Sequence, residues 1–170
     1  MKIYLAHPGE NDGDCLTPLG VWQIKTLARR LNTEGVKVGK VYANGHSVSK
    51  HGAEILSRAI GSPVVHDERF FELDKSFIEG LSFSELESEN IEYIHLFVDE
   101  ILRKGEDALI TLGDGIHRAV ISRLTGMPLA STRHFSLSPA SLSVIRHYPI
   151  GSTGAWRIDI ANDINHLRVP

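Results

Sequence analysis

The sequence predicts an α/β fold on a mostly parallel sheet, and three observations carry that expectation. Short apolar runs at residues 3–5, 36–42 and 107–112 break off at Pro8-Gly9, Ala43-Asn44-Gly45 and Gly113-Asp114-Gly115. Buried parallel strands end this way when they hand the chain to a loop at the top of a sheet. Stretches of helical period lie between these runs. Two alternating runs near the end, residues 141–147 and 156–160, read as a hairpin across residues 151–154.

The first helix is announced by Thr17-Pro18, a side chain suited to the N-cap followed by proline at the first helical position. Val21, Ile24, Ala28 and Leu31 then recur at helical spacing, and Gly35 supplies the stop. The second strand follows at residues 36–42. A helix starts at Ser47 and stops at Gly61, and a short strand covers residues 63–66. Ser82-Phe83-Ser84-Glu85 has the form of a capping box. Ile91, Ile94, Phe97, Val98, Ile101 and Leu102 mark an amphipathic helix whose other face carries Glu92, Asp99 and Glu100. After the strand at 107–112, a helix is expected over residues 116–124, ending at Gly126.

Composition narrows the function classes. With 170 residues the chain suits one domain, 1–170, with a full core. Hydrophobic content of 42%, charged content of 23% and a net charge of −3 give no collective attraction to nucleic acid. No apolar run approaches the roughly 20 residues that span a bilayer, so no membrane partner is expected. The single cysteine, Cys15, excludes an internal disulfide, and the N-terminal residues lack a signal-peptide core, which points to the cytoplasm. Cys15 has no cationic neighbour to activate it. Trp22 and Trp156 are expected as core anchors.

The motifs resemble the histidine phosphatase superfamily, also called phosphoglycerate-mutase-like, over nearly the whole chain. The family's first strand ends in Arg-His-Gly-Glu-Thr, and the same places here hold His7, Pro8, Gly9, Glu10 and Asn11. LTPLGVWQIKTLARRL is similar to the family's first helix, including Gln23. The AEIL and VVxDERF segments, Glu72-Leu73-Asp74, IEGL at 78–81, HRAVISRLTGMP and the closing ANDINHL also match its pattern. The resemblance implies a three-layer α/β/α sandwich and a reaction in which a histidine nitrogen attacks a phosphate ester. Such chemistry needs an activated nucleophile, cationic donors for the phosphoryl oxygens and an acid for the leaving group.

Carried over residue by residue, the nucleophile falls on Pro8 and the arginine before it on His7. The second arginine falls on Val48 and the second histidine on Gly113, while the acid survives as Glu72. Losing two arginines removes charge-assisted hydrogen bonds worth about 1.5–3 kcal/mol each. The expectation is therefore a degenerate member that keeps a pocket for a small molecule, phosphorylated or not, or for a protein partner. Its ligand-binding candidates are His7, Pro8, Asn11, His46, Val48, Glu72, Gly113 and Asp114. No cofactor is implied, and an isologous homodimer is a further expectation.

Two other readings stay open. A one-residue shift makes His7 the nucleophile, with Ala6 in the arginine place and Glu72 as acid, giving an active phosphomonoesterase or phosphomutase. Such a shift turns a strand side chain to the other face unless Pro8 bulges the strand end. Alternatively His7, His46, His51 and His117, with Glu10, Asp12, Glu72 and Asp114, offer donors for a divalent ion without any compact ligand motif. The same histidines, protonated near neutral pH, would bind an anion weakly. Glu72 also has a plain alternative as a loop carboxylate paired with Arg69, and Lys50 as an exposed helix lysine.

Overall fold

The computed structural model describes residues 1–67, 91–149 and 154–168. Strands β1 (Lys2–Ala6), β2 (Lys40–Asn44), β3 (Val64–Asp67), β4 (Ala108–Thr111), β5 (Leu142–Tyr148) and β6 (Ala155–Asp163) form one sheet in the order β3-β2-β4-β1-β5-β6. The pairs β3/β2, β2/β4 and β4/β1 are parallel, and β1/β5 and β5/β6 are antiparallel. Helices α1 (Pro18–Thr33), α2 (Ser47–Ile60), α3 (Ile91–Lys104) and α4 (Asp114–Thr125) cover the sheet, with short 3-10 turns at Leu129–His134 and Asn165–Leu167. This is an α/β fold around a mostly parallel six-stranded sheet, as expected.

The core lies in two layers. Ile24, Leu27 and Leu31 of α1 and Leu56 of α2 pack with Tyr4, Val41 and Leu109 on one face of the sheet. Phe97 and Ile101 of α3 and Val120 and Ile121 of α4 pack with Ile3, Leu5 and Ile110 on the other. Neighbouring strand residues point to opposite faces, so Ile3 and Tyr4, or Leu109 and Ile110, feed different layers. Buried on both sides, β1 and β4 read as continuous apolar runs rather than alternating ones.

This layering makes the site. The chain leaves β1 toward α1 on one face and leaves the neighbouring β4 toward α4 on the other. The two loops diverge, and a crevice opens beyond the carboxyl ends of the strands.

Several expected boundaries move for identifiable reasons. β2 starts at Lys40 rather than Val36 because Val36 belongs to the end of α1. Its N–H donates to Leu31 O at 2.9 Å and that of Gly35 to Asn32 O at 3.0 Å, with Gly35 at φ 65°. This paired C-terminal motif uses its apolar residue as a clasp on the helix, not as a strand position. α4 begins at Asp114, earlier than its apolar period, because Gly113 adopts extended N-cap angles of −64° and 169°.

Trp22 is 44% exposed, contrary to its expected place in the core, since the buried stripe of α1 runs through Gly20, Ile24, Leu27, Ala28 and Leu31. Trp156 does pack against the core and sits 5.2 Å from the His147 ring. Asp99 is tied across to Arg123 of α4 at 2.8 Å. The capping box at 82–85, the Glu72 and IEGL segments and residues 151–153 of the hairpin turn lie outside the described residues. No helix among the described residues is long and apolar enough to cross a membrane.

Candidate functional site

The loop after β1 is built rigidly. Thr17 caps α1 through its Oγ1, which accepts from Gly20 N–H at 3.0 Å and donates to Glu10 Oε1 at 2.9 Å. Glu10 N–H donates to Gln23 Oε1 at 2.8 Å, and Thr17 N–H to Glu10 O at 3.0 Å. The Glu10 backbone thus lies directly on the first turn of α1. A Cβ at Gly20 would collide with Glu10 O, so only glycine admits this approach. Asn11 Nδ2 donates to Gly9 O at 3.0 Å while its Oδ1 accepts from Gly13 N–H at 3.1 Å. The Asp12 carboxylate accepts from the Cys15 and Asp14 amides, which hold its pKa below the usual range. Ser47 Oγ, at the start of α2, closes the far side by donating to Asp14 O.

His7 follows β1 and is fixed by a separate set of bonds. Its N–H donates to Ser141 O at 2.9 Å, its Nδ1 lies 3.1 Å from Pro8 O, and Pro8 O also accepts from Ala140 N–H at 2.8 Å. Ala140 reaches that position with φ 56°, in the left-handed region, while fully buried. Burial lowers the His7 pKa, against a smaller opposing effect of the Pro8 carbonyl and of Asp114.

His117, on α4, lies with its ring 6.2 Å from that of His7. It is 1% exposed and neither ring nitrogen has a hydrogen-bond partner. Burial, with His7 and Arg118 adding to it, pushes its pKa down to about 3. These two imidazoles are neutral at pH 7, so the expectation that protonated histidines here hold an anion fails for both.

The crevice itself is a cleft of about 300 Å³. His7, Pro8, Asn11 and Gly13 line it from the β1 loop, His46, Val48 and Ser49 from the start of α2, and Gly113, Asp114 and Gly115 from the start of α4. Neither α2 nor α4 has an N-cap side chain bonded to its first-turn amides. Two helix N-termini, each carrying about half a positive charge, therefore border the cleft. Asp114 is bridged by Arg118, Nε to Oδ2 at 2.8 Å. Arg118 is otherwise committed to the backbone, donating to Phe135 O at 2.9 Å and to Thr132 O. None of the described lining residues is lysine or arginine.

The model of the histidine phosphatase superfamily (branch 1) matches residues 7–97, from the cleft loop through most of α3's first two turns. The chain belongs to the histidine phosphatase superfamily. No curated sequence matches it. Among solved structures it is similar to Bacillus stearothermophilus YhfR, at 17% identity and TM-score 0.73 over 98% of this chain and 99% of that one. It is similar to the mycobacterial glucosyl-3-phosphoglycerate phosphatase at 15% identity and TM-score 0.73, over 95% and 98%. A phosphoserine phosphatase of Entamoeba histolytica matches at 17% identity and TM-score 0.70, over 98% and 99%. At these identities the likeness is one of fold, and it spans each chain nearly end to end.

Within this superfamily fold, His7, Pro8, Asn11, His46, Val48, Gly113 and Asp114 all fall on the one cleft. Glu72 lies outside the described residues. His51 is exposed on α2, His117 sits behind the wall, and Lys50 is not among the lining residues. Among the described residues no group of three or more His, Cys, Asp or Glu could hold a metal ion, so the histidine set read as metal donors does not assemble. Gly13, Ser49 and Gly115 also line the cleft and were not among the candidates. Ser49 and Gly115 were detectable as first-turn neighbours of Val48 and Asp114. Ala140 carried no signal, because its role is backbone geometry.

Proposed function

We propose that this chain is an altered member of the superfamily whose cleft binds a small oxyanion of the phosphate-ester class without transferring its phosphoryl group. One observation carries this reading. Two helix N-termini face the cleft, and no lysine or arginine is among its described lining residues. Backbone amides and helix dipoles suffice to hold an anion. They do not replace the guanidinium donors that follow charge through a phosphoryl-transfer transition state. The superfamily pattern supports the same reading, since it puts the nucleophile on Pro8, its arginines on His7 and Val48, and its second histidine on Gly113.

A second reading has its own support: His7 as the nucleophile. Its Nδ1 is directed at Pro8 O at 3.1 Å, burial keeps the ring neutral, and a neutral imidazole with Nδ1 hydrogen-bonded to a carbonyl presents Nε2 as a free base. Hydrolysis of a generic aryl phosphate from pH 4 to 9, by wild type beside His7→Ala, separates the two. The binding reading expects no turnover by either protein. Turnover by wild type that His7→Ala abolishes sinks it in favour of the second.

A further inference from the structure

We infer that the cleft takes its oxyanion in the protonated, singly charged form, with His7 Nε2 accepting a hydrogen bond from a P–OH group. The inference rests on the proposed reading of the cleft as a phosphate-class site and specifies which form of that ligand fits. Pro8 O is an acceptor only, so its 3.1 Å approach to His7 Nδ1 requires the ring proton to sit on Nδ1. The carbonyl cannot turn away easily. Ala140 N–H holds it at 2.8 Å, and the His7 backbone is pinned to Ser141 O at 2.9 Å. Nε2, on the other edge of the ring, then carries a lone pair and no proton, and His7 is one of the residues that line the cleft.

The remaining groups around His7 reinforce this. From α4 come Asp114, an acceptor paired with Arg118, and the neutral His117; His46 stands at the start of α2. Among the described residues, the donors placed for an oxyanion are the first-turn amides of α2 and α4 and the Ser49 hydroxyl on the first turn of α2. An oxyanion can place its charged oxygens on those amides, but the oxygen that meets Nε2 must carry a hydrogen. A phosphomonoester supplies one below its second ionisation near pH 6. A sulfate monoester has the same shape and a single charge but no proton to give.

The test is an NMR titration of the isotopically labelled protein with methyl phosphate and methyl sulfate at pH 6 and pH 8. Methyl phosphate is expected to bind roughly fifty-fold more tightly at pH 6, following its monoanion fraction. Methyl sulfate at pH 6 is expected to bind at least about tenfold more weakly than methyl phosphate, the loss of one hydrogen bond at a desolvated acceptor. Equal binding of the two esters at pH 6, or methyl phosphate binding as tight at pH 8 as at pH 6, overturns the inference and leaves the anion-binding cleft standing. A parallel gain by methyl sulfate on acidification also overturns it, because protonation of a cleft histidine then drives the effect. Absence of binding by either ester at both pH values overturns the anion-binding reading and this inference with it.

Discussion

His117 offers the sharpest test of how the α4 side of the site is built. Its ring is 1% exposed, with both nitrogens unpartnered, and its pKa is pushed from 6.5 down to about 3. An unsatisfied buried polar group costs about 1–3 kcal/mol, whereas an apolar side chain of similar size carries no such cost. His117→Leu should therefore equal or exceed wild type by about 1–3 kcal/mol in urea unfolding near pH 7.5. Linkage gives the second half. The folded-state pKa lies below the unfolded one, so the wild type keeps its full stability above 6.5. It loses stability as pH falls through the window between 6.5 and about 3, where only the unfolded chain takes the proton. At pH 5 this amounts to about 2 kcal/mol, from about 1.4 kcal/mol per unit. The variant lacks that loss, so its advantage should widen by about 2 kcal/mol between pH 7.5 and 5. The other histidines are common to both proteins and cancel to first order. A variant destabilised by more than about 1 kcal/mol at pH 7.5, or one whose pH profile runs parallel to wild type, refutes the picture of a neutral, unpartnered imidazole.

Two further substitutions probe the loops that hold the cleft. Gly20→Ala drives a methyl into the Glu10 carbonyl, a backbone atom that cannot step aside, and should cost at least about 1–3 kcal/mol by urea or thermal unfolding; a neutral result would mean the β1 loop does not lie on α1. Ala140→Gly relieves a left-handed conformation worth about 1–2 kcal/mol but loosens the unfolded chain by about 0.4–1 kcal/mol and removes a buried methyl worth about 0.8 kcal/mol, so a net change within about 1 kcal/mol of zero is expected from denaturant unfolding; a loss well beyond about 1 kcal/mol would show that Ala140 is not strained.

Much of the fold was legible because it is written in periodicity and punctuation. The continuous apolar character of β1 and β4, the Thr17-Pro18 start of α1 and the stripe through α3 each follow from one local rule. Misjudged boundaries sit where one residue serves two rules. Val36 looks like a strand residue because it is apolar and β-branched, yet it completes the clasp on α1. Trp22 looks like a core anchor by size, yet it falls off the buried stripe. The cleft was legible as a set of strand ends, and His7, His46 and Gly113 were placed by that logic. What could not be read is what depends on contacts distant in sequence. The clamp of Ala140 on Pro8 joins the segment before β5 to the one after its neighbour β1, far apart in the chain, and the burial of His117 depends on which face of α4 meets the core.

On the proposed reading, the charges around the cleft decide between holding a phosphate and transferring one. A helix N-terminus contributes about 0.3–1 kcal/mol to an anion, and up to about 2 kcal/mol in a partly buried geometry. The ends of α2 and α4 at that upper value give about 4 kcal/mol together before the cost of association, so the affinity they support alone is weaker than about 1 mM. Arginines add about 1.5–3 kcal/mol for each charged hydrogen bond and bring full charges to the phosphoryl oxygens. Amides carry only partial charges, and Asp114 at the mouth of α4 opposes the second charge of a dianion. On the proposed reading, with Val48 where the family pattern expects an arginine, the cleft would keep only the weaker, partially charged donors of an anion site. On that reading the protonated monoanion would be the better match, because it asks for one charge of compensation and offers a donor to the Nε2 lone pair of His7.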